Sequence, residues 1–323
     1  MTRGGTSSAR RLGGPTSMRA FAPGSVGNVG PGLDIMGMAL AGAGDVVEAA
    51  ATAGPGVVVL DPGHPDLPRE AGANTAALAA QAVLRSAGQA DRGLSLRITK
   101  GLPLSGGQGG SAASAVAGAV ATNALFSLGL TERQLLESAL AAEACVAGWH
   151  LDNILPSLIG GIVLIRDASA CDYVRLPVPP GLRVVVAHPG QRLRTALGRA
   201  VLPPEVPRDL AMYQAAQVAA MTLAFATGDL ALLGRALDDR IAEPARAPLL
   251  PGFVRAKQAA LDAGAFGCSI SGSGPTAFAF AGDDAVAGRI AAAMRTAYEA
   301  EGVPCAVRVT QVSVTGARVE AGT

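Results

Sequence analysis

Aromatic side chains are nearly missing from this chain: 7 Phe, 3 Tyr and 1 Trp make up 3% of its 323 residues. A surface that stacks nucleic-acid bases needs such rings set along a basic groove. The basic groove is lacking too, since 26 Lys and Arg stand against 25 Asp and Glu for a formal charge of +1, with no stripe of one sign. Nucleic acid is therefore a poor partner. Long apolar runs are also absent. The longest, Ala112 to Leu128, is interrupted by Ser114, Gly118, Thr122 and Asn123, so it reads as a buried helix and no membrane association is expected. Cysteine and histidine are few and scattered: Cys145, Cys171, Cys268 and Cys305 lie 26, 97 and 37 positions apart, and His64, His150 and His188 cluster no better. Such spacings match neither a zinc knuckle nor a CxxC redox pair. Residues 1–17 carry three Arg among Gly, Ser and Thr, with no apolar segment of the kind a secretory signal needs. They read as a disordered tail, an organellar address being the alternative, and the thiols as reduced in a cytoplasmic protein.

Glycine, by contrast, is abundant, and three dense segments stand out. Gly101-Leu-Pro-Leu-Ser-Gly-Gly-Gln-Gly-Gly-Ser-Ala-Ala-Ser114 runs from a strand-like stretch into an alanine-rich helix. Glycines let a backbone approach an anion with no Cβ in the way, and the first N–H groups of a helix point at it with the positive end of the dipole. No Gly-Lys-Ser/Thr closes the loop, which excludes a Walker A motif, and the polar alternation of Leu94–Lys100 speaks against a Rossmann turn. The second segment, Ile270-Ser-Gly-Ser-Gly-Pro-Thr276, leads into the apolar run Ala277–Phe280. The third, Ala22 to Asp34, sets Asn28 and Asp34 in a stretch too glycine-rich for a strand or helix. Each alone is compatible with a structural turn; together they suggest one shared anion.

The length allows two modest domains or one large one. Strands are expected at Met18–Phe21, Asp45–Ala51, Val57–Leu60, Leu94–Thr99, Gly160–Leu164, Arg183–Ala187, Ala277–Phe280 and Val307–Thr315. Helices are expected at 74–87 behind an Asn N-cap, after the glycine loop, and from a Thr131–Gln134 capping box to Val146. Further helices follow at 195–200, 208–226, 229–240, 252–263 and 284–301. Pro177, Pro179 and Pro180 make Leu176–Gly181 the linker candidate. The order of elements, without regular β-α repetition, gives an α+β class.

The three glycine segments resemble the three motifs of the GHMP kinases, from Met18 to about Ala317. The superfamily loop Pro-x-x-x-Gly-Leu-Gly-Ser-Ser-Ala has its counterpart in Pro103 to Ala112, with Gln108 and Gly110 in place of Leu and Ser. His150-Leu-Asp-Asn-Ile-Leu-Pro156, Gly160-Gly161, Pro189-Gly190 with Thr195 and Arg199, Ile241 to Arg246, and Leu249 to Phe253 resemble the homoserine kinases within it. The resemblance implies a two-domain GHMP-kinase fold: residues 18–178 an N-terminal ATP-binding domain of mixed sheet and helices, residues 179–320 a C-terminal ferredoxin-like α/β sandwich. It implies ATP and Mg²⁺ as cofactors, L-homoserine as the small-molecule substrate, and a possible homodimer. ATP would lie on Pro103, Leu104, Ser105, Gly106, Gly107, Gln108, Gly109, Gly110, Ser111, Ala112 and Ala113, with its base near residues 60–75 and Mg²⁺ on Ser111 and Glu143. The substrate set implied is Asn28, Asp34, His150, Asn153, Arg199, Arg246 and Thr276, the two Arg taking the carboxylate. Catalytic roles fall to Asn153, Ser111 and Glu143. The family lacks the catalytic Asp that mevalonate kinases carry at the Asn153 position, so direct attack by an oriented hydroxyl is expected, in preference to Asp152 as base. Gln108 is the side chain able to replace the missing Ser hydroxyl at the phosphates. Another small-molecule GHMP kinase and a catalytically silent nucleotide sensor are the alternative readings.

Overall fold

The computed structural model describes residues 16–320. β1 (Ser17–Gly27) and β2 (Met36–Thr52) form a long antiparallel ribbon, Ala20 opposite Val47 and Val26 opposite Met38. Its register shifts between Pro23 and Ser25, where proline has no N–H to give the ladder. β4 (Gly93–Thr99) continues antiparallel on β2, and β3 (Gly56–Asp61) runs parallel beside β4. β5 (Ile162–Asp167) pairs the first residues of β2, and β6 (Asp172–Leu176) pairs β5. β11 (Arg318–Glu320) closes onto β1, making seven strands among the described residues.

α1 (Thr75–Ser86), α2 (Gly110–Leu125), α3 (Glu132–Val146) and α4 (Leu151–Ile159) pack on this sheet. Local chemistry starts two of them. Asn74 Oδ1 accepts the Ala76 and Ala77 N–H groups, and Thr131 and Gln134 exchange the two bonds of a capping box. α2 is different: it is buried almost all round, and its alanines allow close approach. A Cβ on Gly118 would lie 2.6 Å from the Ala76 carbonyl oxygen, so α1 crosses α2 at a distance only glycine permits. Leu94, Leu96 and Val116 are fully buried between these layers, each contributing about 1.5–3 kcal/mol by leaving water.

The second sheet has the order β10 (Cys305–Thr310), β7 (Arg183–Pro189), β9 (Ala277–Ala281), β8 (Gly267–Ile270), all antiparallel. With α9 (Phe253–Asp262) and α10 (Asp284–Ala300) the path is β-α-β-β-α-β, a ferredoxin-like sandwich. α5 (Thr195–Ala200), α6 (Arg208–Thr227), α7 (Leu230–Ala236) and α8 (Ala242–Arg246) are inserted between β7 and α9. β9 alternates: Ala277, Ala279 and Ala281 face the core under α9 and α10, while Phe278 and Phe280 face a second core. That second core joins Val26, Met36, Met38 and Leu40 of the first sheet to Val184, Val186 and Phe225, so the two sheets share buried surface.

Several expectations change. The stretch from Ala22 was expected as loop, yet β1 runs on to Gly27. Its glycines serve close packing, since a Cβ on Gly24 would meet Leu102 Cδ2 at 2.7 Å and one on Gly27 the Asp152 carboxylate at 2.3 Å. β2 begins at Met36, nine residues before the expected Asp45. α4 holds Pro156 within its nine residues and was not expected as a helix. β10 ends at Thr310, and within the rest of the expected strand Val312 forms an isolated bridge to Leu40. The chain crosses from β6 to β7 through residues 177–182, but residues 179–320 do not stay in the second sheet, because β11 returns to β1. The expected tail lies outside the described residues as far as Pro15, and Ser17 already begins β1.

Candidate active site

The three glycine-rich segments meet in space. Gly272 N–H donates to the Gly27 carbonyl at 2.8 Å, Ser271 Oγ donates to the Gly107 carbonyl at 2.5 Å, and Ser25 N–H donates to the Gln108 carbonyl at 3.1 Å. Gly107, at φ +74°, lies so close to the third segment that a Cβ would sit 2.6 Å from the Ser271 carbonyl oxygen. Above them opens a cavity of about 360 Å³, lined by Pro103 to Gly107 and Gly109 to Ser111 of the loop, and by Gly272 to Gly274 opposite. Asp66 to Pro68 and Ala73 to Thr75, within the stretch expected near the base, line another wall.

The N-terminus of α2 faces this cavity with no side-chain cap and no acidic residue in its first turn. Its leading N–H groups are left for an anion. Lys100, at the end of β4, reaches beneath them. Its ammonium donates to the Gly110 carbonyl at 2.8 Å and Ser114 Oγ at 3.0 Å, and pairs with the fully buried carboxylate of Asp45. Asp45 in turn accepts from Gly101 N–H at 3.1 Å, so both ends of the loop are tied to one ion pair. On α3, Glu143 is 2% exposed. Its Oε1 accepts from Ser111 Oγ at 2.6 Å and lies 3.5 Å from His150 Nδ1, while its Oε2 is buried with no partner among the described residues. A buried carboxylate oxygen left without a protein partner is open to a cation or a water.

α4 carries the next group. His150 stands at its N-cap, followed by Asp152 and Asn153. Asn153 lines the cavity and accepts from Ser25 Oγ at 3.0 Å. Asp152 is buried and accepts Asn28 N–H at 3.0 Å. Burial, then the nearby Asp34 charge, raise its carboxyl to about 6, against the opposing pull of His150, the Asn28 N–H and Arg199. Asn28 (φ +55°) and Asp34 (φ +61°) both take left-handed backbone, and Asn28 Oδ1 accepts Asp34 N–H at 2.8 Å, which closes the first segment into a tight turn. Asp34 meets Arg199 of α5 through a two-pronged pair at 2.7 and 2.5 Å, which raises the guanidinium's pKa. Arg246 at the end of α8 is 2% exposed and, among the described residues, donates only to carbonyls, Nε to Gly198 at 3.0 Å and Nη1 to Gly272 at 2.9 Å. Burial and the neighbouring Arg199 lower its pKa. α8 is aimed by Asp239, whose buried carboxylate accepts the Ile241, Ala242 and Glu243 N–H groups and Gln214 Nε2.

A cavity walled by an uncapped helix N-terminus and two glycine loops, with the third packed against them and a split set of acidic and basic side chains nearby, agrees with what homology shows. The profile of the GHMP kinases N terminal domain matches residues 74–161, and that of the GHMP kinases C terminal matches 221–300. Homoserine kinase of Chlorobium phaeovibrioides is 40% identical over 294 residues, 87% of this chain and 92% of that one. The chain belongs to the homoserine kinase family of the GHMP kinases. The Arabidopsis thaliana homoserine kinase is 40% identical over 271 residues, 81% of this chain and 73% of its own. The crystal structure of homoserine kinase from Cytophaga hutchinsonii superposes with a TM-score of 0.91 at 37% identity, covering 95% of this chain and 98% of that one. The L. major mevalonate kinase, at 20% identity and a TM-score of 0.71, shares the fold.

Against the homoserine kinase pattern, Ser111, Glu143 and His150 come together in one cluster, and Asn28, Asp34, Asn153, Arg199 and Arg246 converge around α4 and the first loop. Three residues expected on ATP are placed otherwise. Ala112 and Ala113 are buried in α2, and the Ala113 N–H is already bonded to the Gly109 carbonyl at 2.9 Å. Gln108, expected to replace a phosphate-side hydroxyl, turns away from the cavity and is 4% exposed. Thr276, expected at the substrate, is fully buried beneath the loop and donates to the Gly106 carbonyl. Gly110 leaves room: a Cβ there meets nothing nearer than 3.5 Å. Ser25, Lys100, Asp45 and Asp239 were not expected in the site. The one signal for Lys100 is its place between a strand and a glycine loop.

Proposed function

We propose that this chain transfers the γ-phosphoryl group of MgATP to the side-chain hydroxyl of L-homoserine, giving O-phospho-L-homoserine for threonine biosynthesis. Arg246 carries the reading: a buried guanidinium with no direct carboxylate partner among the described residues, beside a phosphate-type loop, suits an anionic group on the acceptor. Asp34 supplies the matching site for an ammonium, and Arg199 is freed toward the carboxylate when Asp34 changes partner. A polyol offers neither charge, and mevalonate, which has a carboxylate but no ammonium, leaves Asp34 without a new partner.

The N–H groups at the start of α2 and the loop Pro103–Gly107 hold the triphosphate. Ser111 and Glu143 fit a Mg²⁺ ion, because one hydroxyl and one carboxylate with a free buried oxygen are the few protein ligands it takes when phosphate oxygens and water complete its shell. Bound there, Mg²⁺ neutralises the charge that develops on the transferring group. His150 orients the Glu143 carboxylate. Asn153, its carbonyl oxygen engaged by Ser25, offers its amide N–H to the substrate hydroxyl and holds that oxygen in line with the γ-phosphorus. The oxygen–phosphorus bond forms as the bridging bond to ADP breaks, and the hydroxyl proton passes to a phosphoryl oxygen. Asp152 holds Asn28 and so shapes the first loop. A cytoplasmic homodimer belongs to the same reading; among the described residues no helix is long and apolar enough to cross a membrane. A coupled ADP-release assay with MgATP and, in parallel, L-homoserine, L-serine, mevalonate and shikimate tests it: release driven by homoserine alone is expected. Release driven equally by mevalonate would overturn the substrate, and none with any acceptor would leave a nucleotide sensor.

A further inference from the structure

The geometry points to Gln108 as a positioning residue that holds the phosphate loop in shape through Thr276, with Arg308 fixing the orientation of its amide. The loop adopts left-handed backbone at Ser105, Gly107 and Gly109, so its form needs outside support. Part of that support is the Thr276 hydroxyl beneath Gly106. A hydroxyl has one proton and two lone pairs. Its proton goes to the Gly106 carbonyl, and its lone pairs face Gln108 Nε2 at 3.3 Å and His188 Nδ1 at 3.1 Å. Burial lowers the His188 pKa against the opposing pull of the Gly106 carbonyl, and the set is complete when the neutral ring carries its proton on Nδ1. With both lone pairs taken by donors, the hydroxyl proton has one place to point.

Gln108 is held at its other end. Its Oε1 accepts from Arg308 Nη2 at 3.1 Å, and Arg308 Nη1 donates to the Ala41 carbonyl at 3.2 Å. Arg308 comes from β10 of the second sheet and has no carboxylate partner among the described residues. Only one orientation of the Gln108 amide serves both neighbours, oxygen toward Arg308 and nitrogen toward Thr276. A leucine at 108 serves neither. The glutamine is thus a strut between a strand of the second sheet and the loop on the first.

This inference rests on the reading of the loop as the triphosphate cradle. Q108E separates its two ends: a carboxylate still accepts from Arg308, so the fold is kept, but it has no N–H for Thr276. Calorimetric ADP affinity, the KM for ATP, the KM for homoserine and Tm are measured on the unaltered chain, Q108E, Q108L and the double variant Q108L/R308M. The expected result is an ADP affinity weakened and a KM for ATP raised about tenfold in Q108E, the equivalent of one buried hydrogen bond, with the KM for homoserine within about twofold and Tm held. Q108L should show the same nucleotide defect with a lower Tm, and the double variant should recover Tm but not ADP affinity. Equal ADP affinity in Q108E and the unaltered chain overturns the inference alone, as does a matching rise in both KM values. Failure of the unaltered chain to bind ADP overturns the cradle reading with it.

Discussion

Arg246 and Arg199 show how two identical side chains in one site carry different energies. Arg199 is neutralised by Asp34 and half-exposed, so its charge is already answered. Arg246 is buried and bonded directly to carbonyls, with Asp239, Asp34 and Asp152 acting on it from further off, and a substrate carboxylate would be its first carboxylate in direct contact among the described residues. Removing one member of a buried charge pair costs about 2–5 kcal/mol. Arg246→Leu should therefore raise the KM for homoserine by about thirtyfold or more, with the KM for ATP changed less than about twofold; initial-rate kinetics with each substrate varied will show it, and an unchanged homoserine KM would remove Arg246 from the site. Neither arginine is distinguishable in sequence from a solvated helix charge. They were legible only through the resemblance of Ile241–Arg246 and the Thr195–Arg199 stretch to homoserine kinases. Ser25, Lys100 and Asp239 stayed hidden for a related reason: each acts through a partner that the fold supplies, as Asn153 does for Ser25 across 128 positions.

At the scale of elements, the site depends on where α2 begins and how it is aimed. Its start has no side-chain cap, so direction comes from packing: Lys100 grips the first turn, and α1 is pressed against the middle at Gly118. Gly118→Ala places a Cβ 2.6 Å from the Ala76 carbonyl oxygen, and two helix backbones must part to relieve it. Overpacking of that kind costs about 1–3 kcal/mol. The expected outcome is a lower Tm, read by calorimetry, together with weaker ADP binding, since the N-terminus of α2 is displaced; a loss of Tm with ADP affinity intact would show that the loop and not the helix sets the phosphate site. Helices with local start signals were readable from sequence, as Asn74 and Thr131 show. β1 beyond Ala22 and α4 were not, because the glycines of one answer to Leu102 and Asp152, and the proline inside the other reads in sequence as a helix breaker.

For the molecule as a whole, the junction of the two sheets holds both the shared core and the site, so a strained group there is felt in global stability. Asp152 is such a group. Its carboxyl titrates near 3.8 when unfolded and is raised to about 6 in the fold, by burial first and by Asp34 second. Below 3.8 it is protonated in both states and costs nothing. Between the two values the folded chain binds more protons than the unfolded one, so stability falls as pH rises, and above about 6 the full cost, ~3 kcal/mol, is present. Asp152→Asn keeps an oxygen for the Asn28 N–H but has no charge to bury. The variant should match the unaltered chain in Tm near pH 4 and exceed it progressively toward pH 7, by roughly 4 °C or more for a chain of this size. Thermal unfolding followed across that range is the measurement. A constant difference at every pH would mean that the Asp152 carboxylate is as comfortable in the fold as in water, and that Arg199 and His150 together offset both its burial and the charge of Asp34.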